Sequence, residues 1–115
     1  MIRRKGDMRL ESRHNIRGGD GVVDVVHLLE KADTNDKLRL CSVMTILPGC
    51  SMGEHPHHAP EAEIYYILEG ELWASYNGVE TTLREGDAMY TTNSGVHSVR
   101  NVTDKPCLMI AIIIS

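Results

Sequence analysis

The sequence predicts an all-β domain, a small antiparallel β-barrel, on three observations. Turn-forming residues recur at short intervals, roughly every 8 to 10 positions from Gly70 onward. The segments between them are rich in β-branched and aliphatic residues. No long window places apolar residues at the spacing of an amphipathic helix.

The elements follow in order. Arg3, Arg4 and Lys5, followed by Gly6 and Asp7, read as a solvated tail. Residues 8–16 are the one candidate for a short helix, and Gly18, Gly19, Asp20 and Gly21 close an N-terminal arm over 1–21. Strands are then expected at 22–29 and 38–47, separated by the polar turn 33–37. Pro48 and Gly49 open a polar loop, and the next strand runs over 63–68. Segments 72–76 and 79–83 flank Asn77 and Gly78, a pair suited to a type I′ turn because both positions tolerate φ > 0, so they form a hairpin. Further strands are expected at 88–92, 96–102 and 108–114, with the main barrel signals spread over 43–113. Closure into a barrel would remove the strand edges that such a chain otherwise leaves open.

At 115 residues this is one domain, large enough for one core. Hydrophobic residues make up 42% and charged residues 24%, which excludes a disordered chain. There is no Phe, so Ile, Leu, Val and Met must fill the interior. Twelve Lys and Arg against 16 Asp and Glu leave a net charge of −4, which argues against a nucleic-acid partner. The longest apolar run, 107–114, is shorter than the ~20 residues a membrane-spanning helix needs. Cys41, Cys50 and Cys107 show no Cys-x-x-Cys spacing, and no apolar run follows the basic start. Reduced thiols and a cytoplasmic location are therefore expected.

Six His stand in this otherwise ordinary composition, and their placement carries the chemistry. His55, His57, His58, Glu54, Glu61 and Glu63 crowd into positions 54–63. His55 and His57, two apart, share a face of an extended chain, and Glu63 has the parity of Tyr65 and Ile67. His97 is distant in sequence but can be adjacent in a barrel. Imidazoles with one carboxylate suit Fe(II), Mn(II), Zn, Ni or Cu(II). Taken singly, each of these histidines reads better as a surface residue in a polar loop, and it is the alternating pair followed by an acid at the start of an apolar strand that points to a site. The surface reading also holds for His14 and His27, while Cys50 and Met52 read as packing in the loop before His55. Asn101 reads as a structural residue holding the strand after His97, and Tyr65 as facing the cavity. Tyr66, Tyr76 and Tyr90 are core or interface candidates, and Trp73 is either core or a dimer contact.

These residues resemble the two motifs of the cupin superfamily, in particular its small single-domain conserved barrels. Gly49, His55 and His57 fit the start of the first motif, and Glu63 through Gly70 its end. Gly86, His97 and Asn101 fit the second with every spacing kept. The stretch from His57 to Glu63 is one residue longer than the family pattern, with Pro60 a candidate for the extra residue. Thr92 stands for the usual Pro and Ser94 for the usual Gly, with Gly95 one place late. The resemblance implies a jelly-roll (double-stranded β-helix) fold. It also implies one divalent transition metal ion (Mn, Fe, Zn or Ni) held by His55, His57, Glu63 and His97. If the longer loop does not bulge, His58 replaces His57 or Glu61 replaces Glu63, and a three-His site without Glu63 is the competing geometry.

Function then divides two ways. One is a metal-dependent enzyme on a small organic molecule, of dioxygenase, isomerase or epimerase, or decarboxylase type. The other is a non-catalytic module that binds a small ligand or metal, or serves as a dimer scaffold. A phosphosugar would need cationic residues inside the barrel, where only Arg39 and Arg100 are candidates, so a neutral or weakly charged ligand is expected. The resemblance implies a homodimer, and the apolar strand 108–114 suits burial on both faces.

Overall fold

The computed structural model describes residues 1–56, 61–92 and 95–115, with the side chains of 54–56 outside the description. Among the described residues the strands are β1 (Arg9–His14), β2 (Val22–His27), β3 (Leu38–Ile46), β4 (Ser51–Pro56) and β5 (Ala62–Glu69). There follow β6 (Glu71–Tyr76), β7 (Val79–Arg84), β8 (Ala88–Thr92), β9 (Val96–Arg100) and β10 (Cys107–Ile114). They form a six-stranded sheet in the order β1-β2-β3-β10-β5-β8 and a four-stranded sheet in the order β4-β9-β6-β7. Every pairing is antiparallel. The expected all-β class and jelly-roll architecture are what the chain adopts.

Strand alternation explains the core. Along β3, Leu40, Ser42, Met44 and Ile46 point inward, and along β10 Cys107, Met109, Ala111 and Ile113 do the same. Val23, Val25, Tyr65 and Ile67 add to this wall, and Met52, Leu72, Ala74, Leu83 and Val99 face them from the smaller sheet. Each aliphatic side chain so buried contributes about 1.5–3 kcal/mol. The outward face of the six-stranded sheet is also apolar. The register aligns Leu10, Val26, Val43, Ile110 and Tyr66 in one row across five strands. Cys41, Ile112, Ile64 and Tyr90 make the row beside it. Leu10 is 76% and Tyr90 58% exposed, so this face is uncovered in the single chain.

The expected hairpin is present: Tyr76 pairs with Val79, and Asn77 (φ 50°) and Gly78 (φ 82°) both take positive φ. Asn101 has the structural role expected of it. Its side chain donates to the carbonyls of Ile46 (2.8 Å) and Lys105 (2.7 Å) and accepts from the Thr103 N–H (2.9 Å) and hydroxyl (2.7 Å).

Two expectations need correction. Residues 8–16 do not form a short helix, because β1 occupies them and pairs with β2 in unbroken register from Arg9–His27 to His14–Val22. No residue of β1 is fully buried, so a helix there would have had no core face to stabilise it. The open edge of β2 instead supplies backbone partners, reinforced by Ser12 Oγ to Asp24 Oδ1 at 2.8 Å. The segment before His55 is a strand and not a loop. In β4, Met52 pairs with Val99 but His55 pairs with His97, so Gly53 and Glu54 together oppose Ser98 in a bulge.

A tight turn docks on that bulge. Asn15 (φ 48°), Arg17 (φ 53°) and Gly18 (φ 79°) are all left-handed, and the turn is closed by Gly19 N–H to the Ile16 carbonyl at 2.8 Å. A Cβ on Gly53 would lie 2.1 Å from the Arg17 carbonyl oxygen, and one on Gly19 would lie 2.3 Å from that of Ser51. Only glycine allows the two backbones to meet so closely. For Arg17, with a full side chain, the left-handed backbone costs about 1–2 kcal/mol.

Candidate functional site

The inner face of the barrel joins two sheets at one histidine. Glu63 on β5 and Thr91 on β8 are register partners in the six-stranded sheet. His97 reaches them from β9 in the smaller sheet. Its Nε2 lies 3.0 Å from Glu63 Oε1 and its Nδ1 2.6 Å from Thr91 Oγ1. His97 is 1% and Glu63 4% exposed. Tyr65, two residues along β5 and on the same face, stacks on the imidazole with ring centroids 5.2 Å apart and planes 20° apart.

The proton inventory of this cluster is informative. Burial first, then the Glu63 charge and the hydrogen bond to it, hold the Tyr65 hydroxyl well above its ordinary pKa, against a smaller opposing pull from Arg17. Tyr65 therefore stays protonated and donates. At His97, a hydrogen on Nε2 can donate to Glu63 while Nδ1 accepts from Thr91. If a cation replaces that hydrogen, Nδ1 carries it and donates to Thr91 instead. A hydroxyl serves either arrangement because it can donate or accept. The described donors, one imidazole nitrogen and one carboxylate oxygen converging in a buried place, thus fit a mixed N/O ion site.

The expected ligands fall out as follows. Glu63 and His97 are brought together. The backbone of His55 lies directly opposite His97, and it does so because of the bulge: an unbroken ladder from the Met52–Val99 pair would put Glu54 there. Glu61 binds the guanidinium of Arg39 through both carboxylate oxygens. His57 and His58 lie outside the described residues. Among the described residues, no three His, Cys, Asp or Glu side chains gather to hold an ion.

A cavity of about 80 Å³ opens against Glu63 and Tyr65. Its walls are Ile16, Leu40, Met44, Met52 and Ile113, and its charged lining is Arg13, Arg17 and Arg39. The expectation of few cationic residues here is therefore corrected. Arg39 is at the cavity as anticipated, whereas Arg100 turns away to Asp20 (2.6 Å) and the Gly49 carbonyl (3.2 Å). Arg13 and Arg17 were missed because they belong to the arm, and its place over the cavity depends on β1 joining the sheet. Thr91 was missed too, although a hydroxyl at the parity of an inward strand position was an available signal. Trp73 is neither fully buried nor isolated, its Nε1 donating to Glu80 at 3.1 Å.

Residues 42–113 match the family model described as the cupin domain. The oxalate-binding protein of Thermotoga maritima is 38% identical over 114 residues, covering 99% of this chain and 93% of that protein. The crystal structure of a predicted oxalate decarboxylase from Thermotoga maritima superposes with a TM-score of 0.91 at 38% identity, covering 99% of this chain and 98% of that one. A cupin 2 conserved barrel domain protein from Salinispora arenicola CNS-205 superposes with a TM-score of 0.69 at 26% identity, covering all of this chain and 88% of that one.

Proposed function

Because the chain belongs to the cupin family, we propose that it is a metal-dependent cupin acting on a small organic molecule. In this reading His55, His57, Glu63 and His97 hold one divalent transition metal ion (Mn, Fe, Zn or Ni). The observation that carries it is the buried Glu63–His97 pair at 3.0 Å, set beside a cavity. Withdrawing a carboxylate and an imidazole from water together is costly, and a bound cation offsets that cost.

When bound, such an ion polarises a substrate oxygen or lowers the pKa of a bound water. The chain's own residues do the rest. Thr91 fixes the His97 ring, Tyr65 keeps a hydroxyl proton beside Glu63, and Met44, Met52, Leu40 and Ile113 form the apolar walls of the cavity. Of the dioxygenase, isomerase or epimerase and decarboxylase classes, the last is favoured, since the similar crystal structure from Thermotoga maritima is that of a predicted oxalate decarboxylase. The name of the oxalate-binding protein supports the second reading, a binding module without turnover.

Metal analysis of the purified protein, repeated on a His55→Ala/His57→Ala double variant, tests the site. One equivalent in the parent, lost in the variant, is the expected outcome. A parent that takes up no ion under any loading condition removes the metal-dependent reading. Consumption of oxalate by the metal-loaded protein, against binding without turnover, then separates enzyme from module.

The same proposal places the protein in the cytoplasm as a homodimer. Three free cysteines support a reducing compartment, and no helix among the described residues is long and apolar enough to cross a membrane. The uncovered rows around Ile110, Tyr66 and Val43 supply a self-complementary apolar face. Sedimentation at micromolar concentration should find a dimer, and Tyr66→Lys should shift it to monomer.

A further inference from the structure

We infer that Arg17 reads the charge of the ligand, and that the ligand is a small carboxylate anion. This rests on the cavity being the ligand site proposed above. Three arginines line that cavity, but two are already engaged: Arg13 with Glu11 at 3.2 Å and Arg39 with Glu61. Arg17 has no carboxylate partner among the described residues. Its charge nevertheless acts on Tyr65, whose ring is stacked on His97.

The backbone points the same way. Arg17 sits at φ 53°, ψ 34°, where an arginine is disfavoured and glycine is at ease. Stability alone would place glycine at this turn. The position is held by two glycine contacts, Gly53 and Gly19, that press the turn onto β4 beside the bulge. A strained residue so tightly seated, with its charged side chain at the cavity, has the form of a ligand clamp. A guanidinium matches a carboxylate with two parallel hydrogen bonds. With Arg13 and Arg39 neutralised by Glu11 and Glu61, Arg17 is the cation that balances an anionic ligand near Glu63. A volume of about 80 Å³ admits an acid of a few heavy atoms and not a sugar phosphate.

The test is calorimetric titration of the purified, metal-loaded protein with oxalate and with oxamide, its neutral diamide, using the parent, Arg17→Gly, Arg17→Lys and Arg84→Gln. The parent should prefer oxalate, and Arg17→Gly should weaken oxalate binding by about tenfold or more while leaving oxamide unchanged. Lysine should restore part of the loss, and Arg84→Gln, on the far hairpin, should change nothing. Because glycine relieves the left-handed turn, the melting temperature of Arg17→Gly should stay level or rise, so misfolding cannot mimic the result. If Arg17→Gly is less stable than the parent, Arg17→Gln replaces it in the comparison. A parent without preference for oxalate, or an effect below about fivefold in the variant, overturns the inference. Metal content measured on the same samples keeps the two proposals apart. Arginine-dependent oxalate binding without an ion refutes only the metal site, and a retained ion with arginine-independent binding refutes only the role of Arg17.

Discussion

Replacing Asn101 with alanine should cost about 3 kcal/mol of stability, on the basis of roughly 1 kcal/mol for each hydrogen bond lost and more where a buried partner is stranded. Asn101 is fully buried and its side chain makes four such bonds. The alanine variant leaves the Ile46 carbonyl, at the end of β3, and the Thr103 N–H without the partner they now have. Its backbone also ties the Gly49–Cys50 turn, accepting from Gly49 N–H (2.9 Å) and donating to the Cys50 carbonyl (3.0 Å). That turn leads into β4, so the residue supports both the 101–105 loop and the approach to His55. For a domain of 115 residues, ~3 kcal/mol corresponds to a fall of about 12 °C in Tm. Urea unfolding with an unchanged slope, combined with calorimetry, measures it. The Thr103→Val variant and the double variant apportion the loss, since Thr103 donates two of the four bonds and valine removes the one from its hydroxyl. A loss below about 1 kcal/mol would refute the reasoning, because it would mean that water or a shifted backbone satisfies those partners without strain.

Three further outcomes are expected. Thr91→Val strands the buried His97 Nδ1, and metal affinity should fall about 10- to 100-fold in a competition titration; unchanged affinity would show that Thr91 does not orient the ring. The hydrogen bond from His27 (2.7 Å), followed by the charge of Arg13, holds the Glu11 carboxyl below its ordinary pKa of 4.5. Its stabilisation is thus complete above that value and disappears as pH falls through the lowered one, so the urea midpoints of parent and Glu11→Gln should converge on acidification, and a pH-independent gap would contradict this. Burial pushes the Cys107 thiol up to about 11, so it should resist thiol reagents at pH 8 until denaturant is added, and the fold should weaken as pH rises from about 9 toward 11; rapid native labelling of Cys107 would contradict its burial.

What could be read from the residues, and what could not, divides on physical grounds. The Asn77–Gly78 hairpin was readable because its signal is local: two positions that accept positive φ between alternating strands. Glu63, Tyr65 and Ile67 share a face by period-2 geometry, and burial of all three follows from it. The structure draws Glu63 and His97 together, as the motif resemblance implied, while the pairing of Glu61 with Arg39 could not be read because those residues are adjacent only across strands. β1 was unreadable because no residue in it is fully buried, so its pattern carries no core face, and only the edge of β2 makes it a strand. β4 hid behind Gly53 and Pro56, which break the alternation that betrays a strand. Arg17 was invisible for a similar reason: its seat is defined by two glycines, one of them 36 positions away.

The docking of the 16–19 turn on the bulge also says how such a protein can diversify. Arg13, Arg17 and Arg39 all precede residue 42, where the match to the family begins. The stretch that matches the family and the arginines that line the cavity are therefore different parts of the chain, in contact where Gly53 meets Arg17. Variation in the first twenty or so residues can alter the charge at the cavity over an unaltered core, provided the arm keeps a turn that seats on the same glycine. Chimaeras between this chain and another small barrel, cut just before β2 so that Arg13 and Arg17 travel with the arm while Arg39 stays with the barrel, test that exchange.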